Sequence, residues 1–344
     1  MRYPEFLKEN GTIGFCAPSF GCATEPYKSG FDNAQKKFKE MGYNLFLGEN
    51  CYKDEGIGIS NTPEKCAKEL MAVYEGNESD VIISCGGGEL MCETIEQVDF
   101  DRIKAAKPKW YMGYSDNTNF VFLNTILCDT AGIYGPCAGT FGMEPWHESL
   151  NDAMSLLTGK KLTANGYDKW EKESLKDELN PLVTLNTTED VTFTYAGSAK
   201  SSGTKFEGRL IGGCVDCLVN LTGTKYDKVS DFIEKYKDEG IIWFLECCDL
   251  NVMSVRRAFW QMKNAGWFKY AKGFLIGRPR AAFDDDFMGL NRHKAVTGII
   301  GDLRVPVIMD LDIGHMAPMM PLICGSYAAV DAKENKISVE MKLI

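Results

Sequence analysis

Trp110-Tyr111-Met112-Gly113-Tyr114-Ser115-Asp116-Asn117 is the stretch that decides the fold. A short apolar run suited to a buried strand enters a polar turn, and Asn117 to Leu127 then carries a helical apolar pattern. Strand, tight turn and helix in that order make one step of a parallel α/β layer. The step recurs on both sides. Upstream, Val81-Ile82-Ile83-Ser84-Cys85 runs into Gly86-Gly87-Gly88, and Thr12-Ile13-Gly14-Phe15-Cys16-Ala17 ends at Pro18-Ser19. Between these strands lie an amphipathic segment from Phe31 to Met41 closed by Gly42, and a strand from Tyr43 to Leu47. Thr62-Pro63-Glu64 follows as a helix start, with Thr as N-cap and Pro at the first helical position, and the helix runs to Gly76. Downstream, Gly132-Ile133-Tyr134 opens another strand, and His147 to Leu157 reads as a helix stopped by Gly159.

The rhythm breaks at 160–205, which is polar, weakly periodic and includes Trp170. A crossover between two domains, mobile in part, is expected there. Beyond it, Phe206 to Ile211 reads as a strand followed by a Gly212-Gly213 turn. Ile241-Ile242-Trp243-Phe244-Leu245 is a buried strand ending in Glu246, and Val252 to Ala265 is a helix with Gly266 past its end. Further strands are expected at 273–276, 305–309, 327–330 and 337–341. The 344 residues therefore divide into an N-terminal domain over 1–160, a linker or insertion over 161–205 and a C-terminal domain over 206–344.

An apolar share of 44% with 25% charged residues allows a sizeable core without disulfides or metal. The net charge of −10 argues against binding nucleic acid polymers or anionic membranes, both of which attract cationic surfaces. A small substrate is left. No apolar h-region follows Met1-Arg2-Tyr3-Pro4-Glu5, so a cytoplasmic location is expected, with the 13 cysteines reduced. Cys214-Val215-Asp216-Cys217 is a CxxC that could ligate zinc or do redox chemistry. A structural zinc site would want a second ligand pair, none is visible, and no metal is expected.

In open α/β sheets, ligands bind beyond the carboxyl ends of the strands. The loops at 86–88 and 114–116 occupy that position. A serine between a strand and a helix start can present its hydroxyl as a nucleophile, while the N–H of the next residue stabilises an oxyanion. Ser115 could equally be a plain N-cap, and Asn117 stands where the G-x-S-x-G elbow has its second glycine. Gly86-Gly87-Gly88 could bring a second backbone N–H close. As a dinucleotide turn the loop fails, because Met91 takes the last place of G-x-G-x-x-G.

A nucleophilic serine needs a base, and only three histidines exist. His147 is expected in solvent at a helix start, and His293 among charges on an exposed helix face. His315, in a loop freed by Gly314 after an apolar strand, has the best address, although a loop histidine can be inert. Glu246 ends a strongly apolar strand, where a carboxylate must be paired. It would either orient His315 or make an ion pair with Arg256 or Arg257.

At these residues the sequence resembles the LD-carboxypeptidase family of serine peptidases, which includes murein tetrapeptide carboxypeptidases and microcin C immunity peptidases. Ile13 to Ser19 looks like the family's first strand and loop, Gly113-Tyr114-Ser115-Asp116 like its nucleophile motif, and Tyr134-Gly135-Pro136 like the next strand end. Gly208 to Gly213, Leu221-Thr222-Gly223-Thr224, Phe244-Leu245-Glu246, Arg257 with Gly266, and Asp312-Ile313-Gly314-His315 follow in the family's order. The resemblance implies a Rossmann-like parallel α/β domain carrying Ser115, plus a C-terminal α/β domain with a mixed, barrel-like sheet carrying Glu246 and His315. It implies backbone oxyanion donors at Asp116 and Gly87, no cofactor, and a homodimer.

The implied substrate is a short peptide or a peptidyl-nucleotide. Cys85 and Gly88 flank the double glycine where many murein-type members have Arg and Tyr, Cys214 replaces a common Asn, and Cys247 replaces an acidic residue. Gly88 is thereby a candidate substrate contact. Gly58-Ile59-Ser60-Asn61-Thr62-Pro63 and the long 160–205 segment look more like the microcin-immunity branch, in which an aromatic of the insertion can stack on a nucleotide base. Trp170 is the candidate here, or else an exposed ring that packs at the domain junction.

Overall fold

Apolar runs four or five residues long are too short for buried helices, and in the structure, a computed structural model describing residues 1–344, they form strands. The chain divides into two units. One comprises Met1–Leu162 with Glu173–Asn186, the other Thr163–Lys172 with Thr187–Ile344.

Within the first unit, five strands pair in parallel in the order Asn44–Leu47, Thr12–Cys16, Val81–Ser84, Tyr111–Gly113, Gly132–Tyr134. Numbered along the chain this is 2-1-3-4-5, the flavodoxin-like variant of the doubly wound plan. Its switch point lies between the first and third strands, at whose carboxyl ends stand Pro18-Ser19 and the Gly86–Gly88 loop. Helices Tyr27–Glu40, Pro63–Glu75 and Thr118–Cys128 cover the sheet. The last is buried nearly all round, as a helix packed on several sides must be. Phe15 meets Phe31 edge-on at 5.2 Å and Phe38 at 6.0 Å, seating the first helix on the first strand.

The second unit is built on an eight-stranded mixed sheet. Its four central strands, Thr204–Cys214, Ile241–Glu246, Ala271–Gly277 and Pro306–Leu311, are parallel. Tyr327–Lys333, Lys336–Lys342 and Thr163–Asn165 continue it antiparallel on one side and Thr194–Gly197 on the other. The sheet is open, with Thr163–Asn165 and Thr194–Gly197 as its edges, so the barrel-like closure expected from the sequence is not present. Trp243, Trp267, Phe268 and Phe274 pack in a fully or nearly fully buried aromatic cluster on this sheet. Burying each such ring contributes about 2–3 kcal/mol.

The segment 161–205, expected as a linker or insertion, supplies both edge strands of the second sheet and a two-stranded ribbon, Lys169–Trp170 with Glu189–Asp190. One expectation changes, for Gly212 and Gly213 do not form a turn. The strand continues through them to Cys214, with φ of 153° and 147°. A Cβ on Gly212 would strike the backbone of Phe244 on the next strand, so glycine here permits close strand approach. All thirteen cysteines are thiols, eleven of them buried, which suits their use as small apolar side chains. No helix is long and apolar enough to cross a membrane.

Candidate active site

The strand Tyr111–Gly113 ends in a 3-10 turn, Ser115–Asn117, that leads into helix Thr118–Cys128. Ser115 adopts φ of 62°, a left-handed conformation that costs a non-glycine residue on the order of 1–2 kcal/mol. Strain of this kind persists only where surrounding bonds impose it, and it clusters at functional positions. The bonds are visible. Buried Asn117 donates from Nδ2 to the carbonyls of Gly86 at 2.8 Å and Tyr114 at 3.1 Å, and its Oδ1 accepts from the Tyr111 hydroxyl at 2.5 Å. The Ser115 N–H donates to the Tyr134 hydroxyl at 3.3 Å. Tyr114 holds the cap position of the turn and Asn117 that of the helix.

Asn117 thus ties the serine turn to the glycine loop. The sequence marked it only as a departure from the elbow pattern, and its role depends on a loop thirty residues upstream. Asn117→Ala is expected to lower kcat by about 10–100-fold, with KM changed less, because the turn loses its anchor while the hydroxyl remains. Steady-state kinetics with a thermal melt would check this, and an unchanged kcat would remove the role.

Gly87 lies against the serine: a Cβ there would come within 3.2 Å of the Ser115 Cβ and 3.3 Å of its Oγ. The Gly87 carbonyl accepts from the N–H of Phe20 at 2.9 Å, which fixes its peptide plane. Gly88, at φ of 145°, faces Ser19, and a Cβ would overlap that hydroxyl. The Asp116 carboxylate is buried, accepting from Met91 N at 2.8 Å, from Asn119 Nδ2 at 2.9 Å and from the Ser19 hydroxyl. These bonds lock the residue that follows the serine.

In the second unit, Glu246 and His315 meet. Glu246 Oε2 lies 2.8 Å from His315 Nδ1, with the carboxylate side chain 0% exposed and the imidazole 10%. Register explains the position of the acid, which ends its strand opposite Cys214 on the neighbouring parallel strand. Gly314, at φ of 94°, explains the position of His315. A Cβ there would overlap the Glu246 carboxyl group, so only glycine lets the loop close over the acid. Arg256 and Arg257 bond to the Lys294 carbonyl and the Ser254 hydroxyl, so the alternative ion pair with Glu246 is not made.

Asp216, inside the CxxC, accepts from the N–H groups of Cys248 at 3.0 Å and Asp249 at 2.9 Å and so holds the turn after the acid. No sequence signal assigned it this part. Burial alone would favour neutral His315, but the Glu246 carboxylate and the Cys248 thiol outweigh it and hold the imidazole pKa well above its usual value. Sulfur of Cys214, a carboxylate oxygen of Glu246 and a ring nitrogen of His315 lie within 4.8 Å of one another, a donor set able to hold a cation.

Other sequence candidates fall elsewhere. His147 is not solvated at large but caps helix Glu148–Leu157, its Nδ1 accepting from Ser149 N at 3.2 Å. His293 is not a free surface residue, for its Nε2 contacts Asp310 at 2.6 Å and Thr194 at 3.2 Å. Trp170 is buried at 6% exposure, with the Arg278 guanidinium 4.9 Å from its ring centroid and Phe283 at 5.0 Å. The ring is thus buried among residues of its own unit and is not the exposed side chain expected.

Two family models match the chain: the LD-carboxypeptidase N-terminal domain over residues 13–135 and the LD-carboxypeptidase C-terminal domain over 207–330. The microcin C7 self-immunity protein MccF of Escherichia coli is 26% identical, over 97% of this chain and 94% of its own. A probable murein peptide carboxypeptidase of Bacillus subtilis is 24% identical, over 98% and 94%. Among solved structures, that of MccF in complex with aspartyl sulfamoyl adenosine superposes with a TM-score of 0.82 at 23% identity, covering 100% of this chain and 99% of that one. Matches at both ends of the chain, in order and over most of its length, establish that it belongs to the LD-carboxypeptidase family.

Proposed function

We propose that the protein is a serine peptidase that hydrolyses an amide bond near the C-terminus of short peptides, with Ser115, His315 and Glu246 as its triad. The observation that carries the reading is the 2.8 Å bond between a fully buried carboxylate and His315 Nδ1. Such a carboxylate fixes the tautomer, leaving the other ring nitrogen to take a proton, and stabilises the imidazolium that forms. The strained Ser115 backbone supports its assignment as nucleophile.

In the proposed sequence, His315 removes the Ser115 proton as Oγ attacks the amide carbonyl. The N–H groups of Gly87 and Asp116 hold the oxyanion. His315 then protonates the leaving amine, and water releases the acyl-enzyme. No metal or cofactor takes part, and a cytoplasmic homodimer is the proposed setting.

A second substrate class, aminoacyl- or peptidyl-nucleotides, is favoured by the likeness to MccF. An open cleft of about 580 Å³ in the second unit is lined by Met316, next to the base, with Lys172 and Arg280 among its walls. Asp284 and Asp285 share this lining and Asp284 pairs with Lys172 at 2.9 Å, so Arg280 is the wall cation proposed to meet a substrate carboxylate or phosphate. A fluorophosphonate probe should label Ser115, and Ser115→Ala should abolish turnover of both a murein tetrapeptide and an aminoacyl sulfamoyl nucleoside. Turnover retained by that variant would remove the reading.

The pH profile follows from the environment of His315. An imidazole held above its usual pKa of 6.5 is protonated below that point and accepts no proton. Hence kcat/KM should rise with pH, with its inflection above 6.5. Glu246→Gln removes the charge that favours imidazolium, so its residual activity should inflect at lower pH. Equal inflections in the two proteins would show that the carboxylate does not set the value.

A further inference from the structure

We propose that Cys214, Glu246 and His315 form a binding site for a thiophilic divalent cation of the zinc type, and that its occupancy switches hydrolysis off. The sequence makes zinc at the CxxC unattractive because no second ligand pair is visible. The fold supplies that pair from distant parts of the chain. Cys214 and Glu246 are register partners at the carboxyl ends of adjacent parallel strands, so their side chains start side by side. The Gly314 turn delivers His315 to the same carboxylate at 2.8 Å. One sulfur, one nitrogen and one oxygen then lie within 4.8 Å of one another.

Zinc bonds of about 2.0–2.3 Å in a tetrahedron set ligand atoms roughly 3.3–3.8 Å apart, so side-chain rotations of about 1 Å close the cluster. A donor set of thiolate, imidazole and carboxylate matches zinc and disfavours magnesium and calcium, which take oxygen alone. Two further thiols stand close: Cys217 within hydrogen-bonding reach of Cys214, and Cys248 of His315. Either thiol or a water completes four ligands. The local charge also suits a cation. Asp216 adds a second carboxylate 3.4 Å from Cys214 Sγ, while the Arg280 guanidinium lies 3.9 Å from Cys248 Sγ.

On binding, the Cys214 thiol proton passes to solvent, the His315 Nδ1 proton is replaced by the metal and the ring carries its proton on Nε2, and the metal also takes the Glu246 carboxylate that faced Nδ1. An imidazole ligated at Nδ1 and protonated at Nε2 accepts no proton from serine. Inhibition rests on the proposed function; cation binding does not.

The test separates the two. Chelator-treated protein titrated with Co²⁺ should bind one equivalent and show an intense near-ultraviolet thiolate-to-cobalt band that Zn²⁺ displaces. Cys214→Ser and, independently, His315→Ala should lose the band while folded by circular dichroism, and Ser115→Ala should keep it. Zn²⁺ should slow peptide hydrolysis at least tenfold, reversibly with chelator. In Cys214→Ser, at least tenfold more Zn²⁺ should be needed for the same fraction of that variant's own metal-free rate. A band that survives both ligand substitutions, or no stoichiometric cobalt binding, overturns the site. Binding without inhibition overturns the switch. If Ser115→Ala still turns over substrate, the peptidase reading fails instead, and the cobalt result stands apart from it.

Discussion

Alanine at position 315 is expected to reduce kcat/KM by roughly 10⁴-fold or more, because loss of the base from a triad removes both proton transfers of the cycle. The residual rate should come from oxyanion binding alone. Ser115→Ala should fall as far, and the double variant should be no worse than either single one, since residues that act as one unit are not additive. Stability should change much less than activity. His315 is a loop residue, and its removal opens the Glu246 carboxylate to water. Steady-state kinetics on a murein tetrapeptide, with thermal melts in parallel, would check these values. A loss under tenfold in a folded His315→Ala protein would dismantle the triad.

Gly314→Ala should be damaging in a different way. The new Cβ would overlap the Glu246 carboxyl group, and the backbone at φ of 94° is unfavourable for any residue with a side chain. Nearby, a Cβ on Gly277 would lie 2.9 Å from Glu246 Cβ, so glycine at 277 also makes room for Glu246. A loss of about 2–4 kcal/mol and at least a 100-fold drop in kcat are expected. The diagnostic comparison is Glu246→Ala combined with Gly314→Ala. Deleting the carboxylate relieves the overlap, so the pair should regain part of the stability lost by Gly314→Ala while staying inactive. Strictly additive destabilisation would mean that strain at 314, and not crowding of the acid, dominates.

How far the sequence foretold this architecture depends on the range of the interactions concerned. The strands ending in Ser84, Gly113 and Glu246 are legible because an apolar run and its terminating turn are local features. Glu246 with His315 could be anticipated because a carboxylate at the end of an apolar strand demands a partner. Gly212-Gly213 misled, since paired glycines signal a turn unless a neighbouring strand presses against them, and that neighbour lies thirty residues on. The 161–205 segment lacked periodicity because edge strands of three or four residues show no repeat. Its tryptophan found a guanidinium from position 278, which no local pattern could indicate. The same holds for Asn117 and Asp216, whose effects run through hydrogen bonds to backbone remote in sequence. The barrel-like sheet was an inference from resemblance, and closure is a property of edge pairing that apolar patterning does not encode.

The loop that carries His315 is moored at Asp312, three residues before it. That buried carboxylate pairs with Arg278 and accepts the N–H of Tyr167 at 2.9 Å, while its carbonyl takes the N–H of Met320 at 2.7 Å. Tyr167 belongs to the stretch of weakest sequence pattern, so the part of the chain that looks most dispensable is a guy-rope for the imidazole. Trimming or swapping that stretch to alter specificity would slacken the loop as well, and chimeras should carry residues 163–172 and 310–320 together as one cassette.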